Sequence, residues 1–292
     1  MIDKVILAAL GIIALLFVLV VLSGACAFCG LISTIPGPQY GWEGPTDYRE
    51  DAGSHAVADN VTIDVYTFNG NVELMETNGS NIDVKVKIRA PEGRLDEIDS
   101  DIRFTGTNDT LNLNVEVNKD FTGLTGRYGA DVYVYMPENA MYELNLMTSN
   151  GRITVGEFNG SSLVAGTSNG AVDILGGSYG ILDVSTSNGA INAKYDSGDA
   201  DFKTSNGAID IDTKQSLGRL EATTSNGRIS IRMPENASFS IDADTSNGYI
   251  DHEMPLTVTF NRDSHIIGYT EGFTTGLEIY LRTSNGNIRI MY

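Results

Sequence analysis

The chain runs in short alternations of apolar and polar residues, and from residue 148 onward the alternation is locked to a recurring tetrapeptide. Thr-Ser-Asn-Gly starts at Thr148, Thr167, Thr186, Thr204, Thr224, Thr245 and Thr283. Two positions after each Gly stand Ile153, Val172, Ile191, Ile209, Ile229, Ile250 and Ile288. Two further on are Val155, Ile174, Ala193, Ile211, Ile231, His252 and Ile290. The same parity returns before each Thr, as in Leu144/Leu146, Leu182/Val184, Ala200/Phe202 and Ile279/Leu281. A period of two with one apolar face predicts half-buried β-strands on both sides of every tetrapeptide. Asn-Gly accepts positive φ at both positions, so a sharp turn is expected there.

Successive starts lie 19, 19, 18, 20, 21 and 38 residues apart. One such repeat offers about four apolar side chains, too few to offset the ordering of its own backbone, so repeats must stack. The reading is an all-β domain built as a β-solenoid, one coil per repeat, with Ser and Asn side chains hydrogen-bonded up the stack. A meander of Asn-Gly hairpins has the same parity, but a sheet of about fourteen strands or more has to close or split. The doubled last interval, Met254 to Gly276, reads as a degenerate coil or a capping excursion. Thr67-Phe-Asn-Gly and Glu76-Thr-Asn-Gly are degenerate upstream copies.

The amino-terminal segment is of another kind. Val5 to Leu22 (VILAALGIIALLFVLVVL) has no polar side chain. Extended by one further turn, it can cross a hydrocarbon core of roughly 30 Å at about 1.5 Å per residue. Residues 1–32 are therefore expected to be a single-pass transmembrane anchor. Lys4 before the run, with no further basic residue until Arg49, places the C-terminal bulk outside the cell. Leu22-Ser-Gly-Ala-Cys26 resembles a lipoprotein processing box, making Cys26 a candidate lipidation site if the segment is cleaved instead. Residues 33–55, rich in Pro and Gly, read as a flexible stalk, leaving 56–292 as the extracellular repeat domain. Five sequons at Asn60, Asn78, Asn108, Asn159 and Asn236 are candidate glycosylation sites of a surface glycoprotein.

Composition narrows the function. The formal net charge is −19, which repels nucleic acid rather than steering it in. Cys26 and Cys29 are the only cysteines and His55, His252 and His265 the only histidines, and none falls in a zinc, redox or triad pattern. No catalytic, cofactor-binding or metal residue is assigned, and the chain is expected to be non-enzymatic. The acidic run Asp196-Ser-Gly-Asp199-Ala-Asp201 lacks calcium-loop spacing and reads as a solvated loop. The alternative is a carbohydrate-active β-helix enzyme, for which Asp173, Asp210 and Asp212 are the carboxylates to test. A membrane-linked sensor is a third reading, although only Met1 to Lys4 would lie inside. Numerous tyrosines offer binding area for surface glycans or envelope proteins, the partners expected besides the membrane.

One longer motif carries a family resemblance. Val132-Tyr-Val-Tyr-Met-Pro-Glu-Asn-Ala140, then Tyr142-Glu-Leu-Asn-Leu146, then Thr148-Ser-Asn-Gly-Arg-Ile-Thr-Val155, resembles the core signature of the putative adhesin domain family of bacteria and archaea. Met233-Pro-Glu-Asn-Ala237 echoes it before another tetrapeptide. The likeness covers roughly residues 56–292. It implies a right-handed β-solenoid, secreted or membrane-anchored, with a structural or adhesive role and no catalytic residues.

Overall fold

The computed structural model describes residues 46–107, 109–119, 127–214, 216–262 and 264–292, all within the compact unit Pro45–Tyr292. The expected membrane anchor, Cys26 and Asn108 lie outside them. Among the described residues no helix is long and apolar enough to cross a membrane.

The N-terminal part holds β1 (Thr46–Ala56), β2 (Asn60–Tyr66), β3 (Val72–Thr77), β4 (Asn81–Pro91), β5 (Ile98–Gly106), β6 (Thr110–Lys119) and β7 (Gly129–Pro137). The middle holds β8 (Met141–Thr148), β9 (Ile153–Thr167), β10 (Val172–Thr186), β11 (Ile191–Thr204), β12 (Ile209–Thr213), β13 (Gly218–Thr224) and β14 (Ile229–Arg232). The C-terminal part holds β15 (Phe239–Thr245), β16 (Ile250–His252), β17 (Leu256–Arg262), β18 (His265–Thr270), β19 (Leu277–Thr283) and β20 (Ile288–Met291).

These strands stack as coils, parallel and in register, rather than as hairpins. Ile153 pairs with Val172, Val172 with Ile191, Ile191 with Ile209, Ile209 with Ile229 and Ile229 with Ile288. On the other side of the turns, Leu144 pairs with Leu163, Leu163 with Leu182, Leu182 with Ala200 and Ala200 with Leu220. Both rows are buried in one core, so each coil contributes two inward rows to a continuous interior. Ile250 and His252, on the last strand of their row, are only half-buried.

Three features depart from the sequence reading. In the middle coils no loop follows the strand after the turn: β9, β10 and β11 are continuous strands of 14–15 residues that carry the chain from one row to the other. The stalk expected over 33–55 does not reach 55, because β1 occupies its last ten residues and pairs antiparallel with β4. The polar sequence of β1 is compatible with a strand because its inward Arg49 donates to the carbonyls of Ile98 and Leu95, and Ser100 donates to its Asp51.

The third departure is the order of coils. At the C-terminal end β17 and β18 form an antiparallel hairpin that lies on β15, the capping excursion expected for Met254 to Gly276. The chain then returns, and β19 and β20 enter between coils already laid down: β19 pairs with β13 and β15, β20 with β14 and β16. The missing repeat is thus supplied by the last stretch of sequence. The N-terminal end shows the mirror arrangement, with β2 between β6 and β8, and β3 between β7 and β9.

Candidate functional site

The structural column along the turns is built from four residue types, each with a separate task. The buried Thr hydroxyl donates to the carbonyl of the Gly one coil back: Thr167 to Gly151, Thr186 to Gly170, Thr204 to Gly189 and Thr224 to Gly207, at 2.9–3.0 Å. The Ser carbonyl accepts the Asn backbone N–H of the next coil, as in Asn206 to Ser187 at 2.9 Å. The Asn side chains form one uninterrupted ladder, in which the amide of each donates to the Oδ1 of the next. It runs Asn247 to Asn285 (2.9 Å), Asn285 to Asn226, Asn226 to Asn206 and Asn206 to Asn188 (2.8 Å each), Asn188 to Asn169 (2.7 Å), then on to Asn150 and Asn69.

The glycine is required by close approach, not by handedness. An added Cβ on Gly151, Gly170, Gly189, Gly207, Gly227, Gly286 or Gly248 would lie 1.6–2.1 Å from the carbonyl oxygen of the neighbouring coil's glycine. None of these glycines has positive φ, and of the ladder asparagines only Asn69 does. The expected φ > 0 turn is therefore replaced by a bend whose backbones touch. Glu76-Thr-Asn-Gly stays outside the ladder: Asn78 and Gly79 are exposed in the β3–β4 turn.

The outer faces carry the candidate chemistry. On one face Asp173, Asn192, Asp210, Ser230 and Arg289 stand in register on β10, β11, β12, β14 and β20. A shallow groove of about 390 Å³ runs there, lined by the first four of these and by Leu175, Lys194, Asp212 and Arg232. The structure thus brings Asp173, Asp210 and Asp212 to one surface. Asp173 is held by Arg152 and by Asn192 Nδ2 at 2.6 Å, and Asp210 by Arg228 at 2.7 Å. Asp199 and Asp201 of the acidic run turn to separate partners, the backbone N–H of Arg219 and the ammonium of Lys203.

The opposite face presents an acidic row: Asp183 on β10 faces Asp201 on β11, which faces Glu221 on β13. Burial pushes the Asp183 carboxyl above the usual range, Asp201 adds to that, and Lys203 opposes it. Asp201 Oδ1 is buried without a hydrogen-bond partner among the described residues. A raised pKa means that the folded state holds the proton more tightly than the unfolded one, so stability is gained as pH falls through the folded value. Asp183 is also open to solvent, which screens the effect, so Asp183→Asn, which can donate to Asp201, is expected to raise Tm at neutral pH by no more than about 1–2 °C. The difference from the parent should shrink as pH falls toward the ordinary carboxylate range; a difference that is constant or grows contradicts the assignment.

Near the C-terminal cap, burial opposes ionisation of Asp242, but hydrogen bonds from Arg282 (2.7 Å) and His265 (2.9 Å) outweigh it and hold its carboxyl below the usual range. His252 Nδ1 lies 3.0 Å from the Met254 carbonyl, and His55 stacks on Phe104. Of the tyrosines expected as binding area, Tyr128, Tyr142, Tyr179 and Tyr195 are buried, Tyr133, Tyr135 and Tyr280 half-buried, and Tyr249 exposed. Asn60, Asn78, Asn159 and Asn236 are all exposed. The Thr hydroxyls went unread in the sequence, although their invariance within the repeat was visible there.

Comparison with known proteins places this geometry. A family model described as Toastrack DUF4097 matches residues 48–291. No curated protein matches. Among solved structures, the chain is similar to a putative cell adhesion protein from Clostridium sporogenes, at 11% identity over 83% of this chain and 99% of that one, with a TM-score of 0.35. It is also similar to a putative adhesin from Bacteroides fragilis, at 11% identity over 83% and 97%, with a TM-score of 0.36. A putative adhesin from Parabacteroides merdae gives 11% identity over 83% and 96%, with a TM-score of 0.37.

Proposed function

The chain belongs to the Toastrack DUF4097 family, as the resemblance in its motifs implied, and on that premise we propose that it is a non-enzymatic, membrane-anchored protein of the cell surface with a structural or adhesive role. The uninterrupted Asn ladder carries this reading: eight coils cross-linked at one edge form a stiff element suited to presenting a long face at a distance from the membrane. The apolar run from Val5 to Leu22 supports the anchor and an outside location for the repeats. Partners fitting a strongly acidic, partly aromatic surface are glycans and envelope proteins rather than nucleic acid. Residues 46–292, presented to cells, envelope polymers and a glycan panel, should bind at least one of them; no measurable binding to any would count against an adhesive role.

One observation favours a second reading. Asp173 and Asp210 are two strand spacings apart, roughly 9.5 Å, within the separation at which paired carboxylates flank a sugar in inverting glycosidases. Each is already held in an ion pair with an arginine, which is why this reading ranks second. Asp210→Asn should leave any polysaccharide-cleaving activity of the preparation unchanged; its loss would favour the enzyme.

A further inference from the structure

Asn-Gly is chemically the most labile dipeptide in a protein, and this chain contains ten of them, eight in the ladder. In spontaneous deamidation the backbone nitrogen of the glycine gives up its proton and attacks the asparagine Cγ, forming a C–N bond while the side-chain nitrogen leaves as ammonia. Water then opens the five-membered imide at either carbonyl, giving aspartate or isoaspartate. One water is consumed, one ammonia released, and no oxidant is needed. Attack requires a free side-chain amide, a glycine N–H that can approach it, and a backbone that can rotate.

The ladder withholds all three. Asn188 donates to Asn169 and accepts from Asn206, at 2.7 and 2.8 Å. The N–H of Gly189 points at Thr186 Oγ1, 3.2 Å away, and its backbone is wedged against the Gly170 carbonyl. Asn159, in strand β9, is held by the Ser178 N–H at 3.1 Å, and its Gly160 is likewise pressed against the Tyr142 carbonyl. Asn78 differs on two of these counts and matches on the third, since the Gly79 N–H points at Thr77 Oγ1, 3.2 Å away. It is exposed in a turn, its side chain makes no hydrogen bond among the described residues, and the nearest atom to a Cβ on Gly79 is a side-chain oxygen at 3.4 Å.

We propose that Asn78 is the chain's deamidation and isoaspartate site, and that the hydrogen-bonded stack protects the Asn-Gly pairs it is made of. The modification adds a backbone methylene in the β3–β4 turn, outside the ladder, so it leaves the stack intact. An asparagine inside the ladder would first have to give up two side-chain hydrogen bonds, and the end residues Asn247 and Asn69 one each.

The test is peptide mapping by mass spectrometry of the whole chain, produced without N-glycosylation, kept folded in detergent at mildly alkaline pH, and compared with the same chain in concentrated urea. Folded, Asn78 should convert at least about tenfold faster than Asn188, and in urea the two should converge. Equal rates in the folded chain, or a lead of Asn78 that survives in urea, would overturn the proposal. Gly79→Ala should slow Asn78 sharply while leaving thermal unfolding in place; an unchanged rate at Asn78 would also overturn it.

Discussion

Gly189→Ala is expected to lower Tm by about 10 °C or more, a cost of roughly 4 kcal/mol or above at a single methyl group. The added Cβ would sit 1.7 Å from the Gly170 carbonyl oxygen and 2.5 Å from its carbon. Both are backbone atoms of the adjacent coil, so no rotamer change relieves the overlap. Relief requires separating the two coils, which stretches the Thr186 hydroxyl bond to Gly170 and the Asn188 bond to Asn169. Gly79→Ala is the control, since its Cβ would meet nothing closer than the Thr77 hydroxyl at 3.4 Å. Thermal unfolding followed by circular dichroism distinguishes the two. A loss at Gly189 no larger than at Gly79 would mean that the coils are not in contact at the turn.

Ile209→Asp is the second large effect. Ile209 is fully buried on β12, between Ile191 and Ile229. The substitution removes a full aliphatic side chain and places a carboxylate without a partner in the core, at a cost of about 3–5 kcal/mol. Its neighbour Asp210 faces outward, and its pairing with the exposed Arg228 contributes no more than about 1 kcal/mol, so Asp210→Asn should leave Tm nearly unchanged. Contacts in a stack are between nearest neighbours, so the loss at Ile209 should open β11 to β14 first. Hydrogen exchange should show that pattern, with protection retained at β2 and β8; uniform loss across the chain would argue for a single cooperative core instead.

Most of the stack was legible because two signals coincide in the sequence. The alternation of Ile209 with Asp210 shows which side is buried, and the tetrapeptide beside it fixes the register against Ile191 and Ile229. The axial order was not legible. Thr67-Phe-Asn-Gly and Thr283-Ser-Asn-Gly carry the same local chemistry as their neighbours, and nothing local states that each inserts between two other coils. β1 was missed because TDYREDAGSHA has no apolar alternation; β4 and β5 supply the partners that make it a strand, so tertiary context overrides propensity. The glycine was located correctly for the wrong reason, since its lack of a side chain serves a contact some 20 residues back in the chain rather than its own φ.

The coils stack in the order given by the ladder, with the last repeat of the sequence inside the stack and not at its end. Spin labels on cysteines at Ser149 and Ser284, and separately at Ser149 and Ser246, test it in residues 46–292, which contain no cysteine of their own. Five strand spacings predict roughly 24 Å for the first pair and six predict roughly 29 Å for the second, both as narrow distributions. Position 284 should lie nearer to 149 than position 246 does; the reverse order, or broad overlapping distances, would contradict this stacking order.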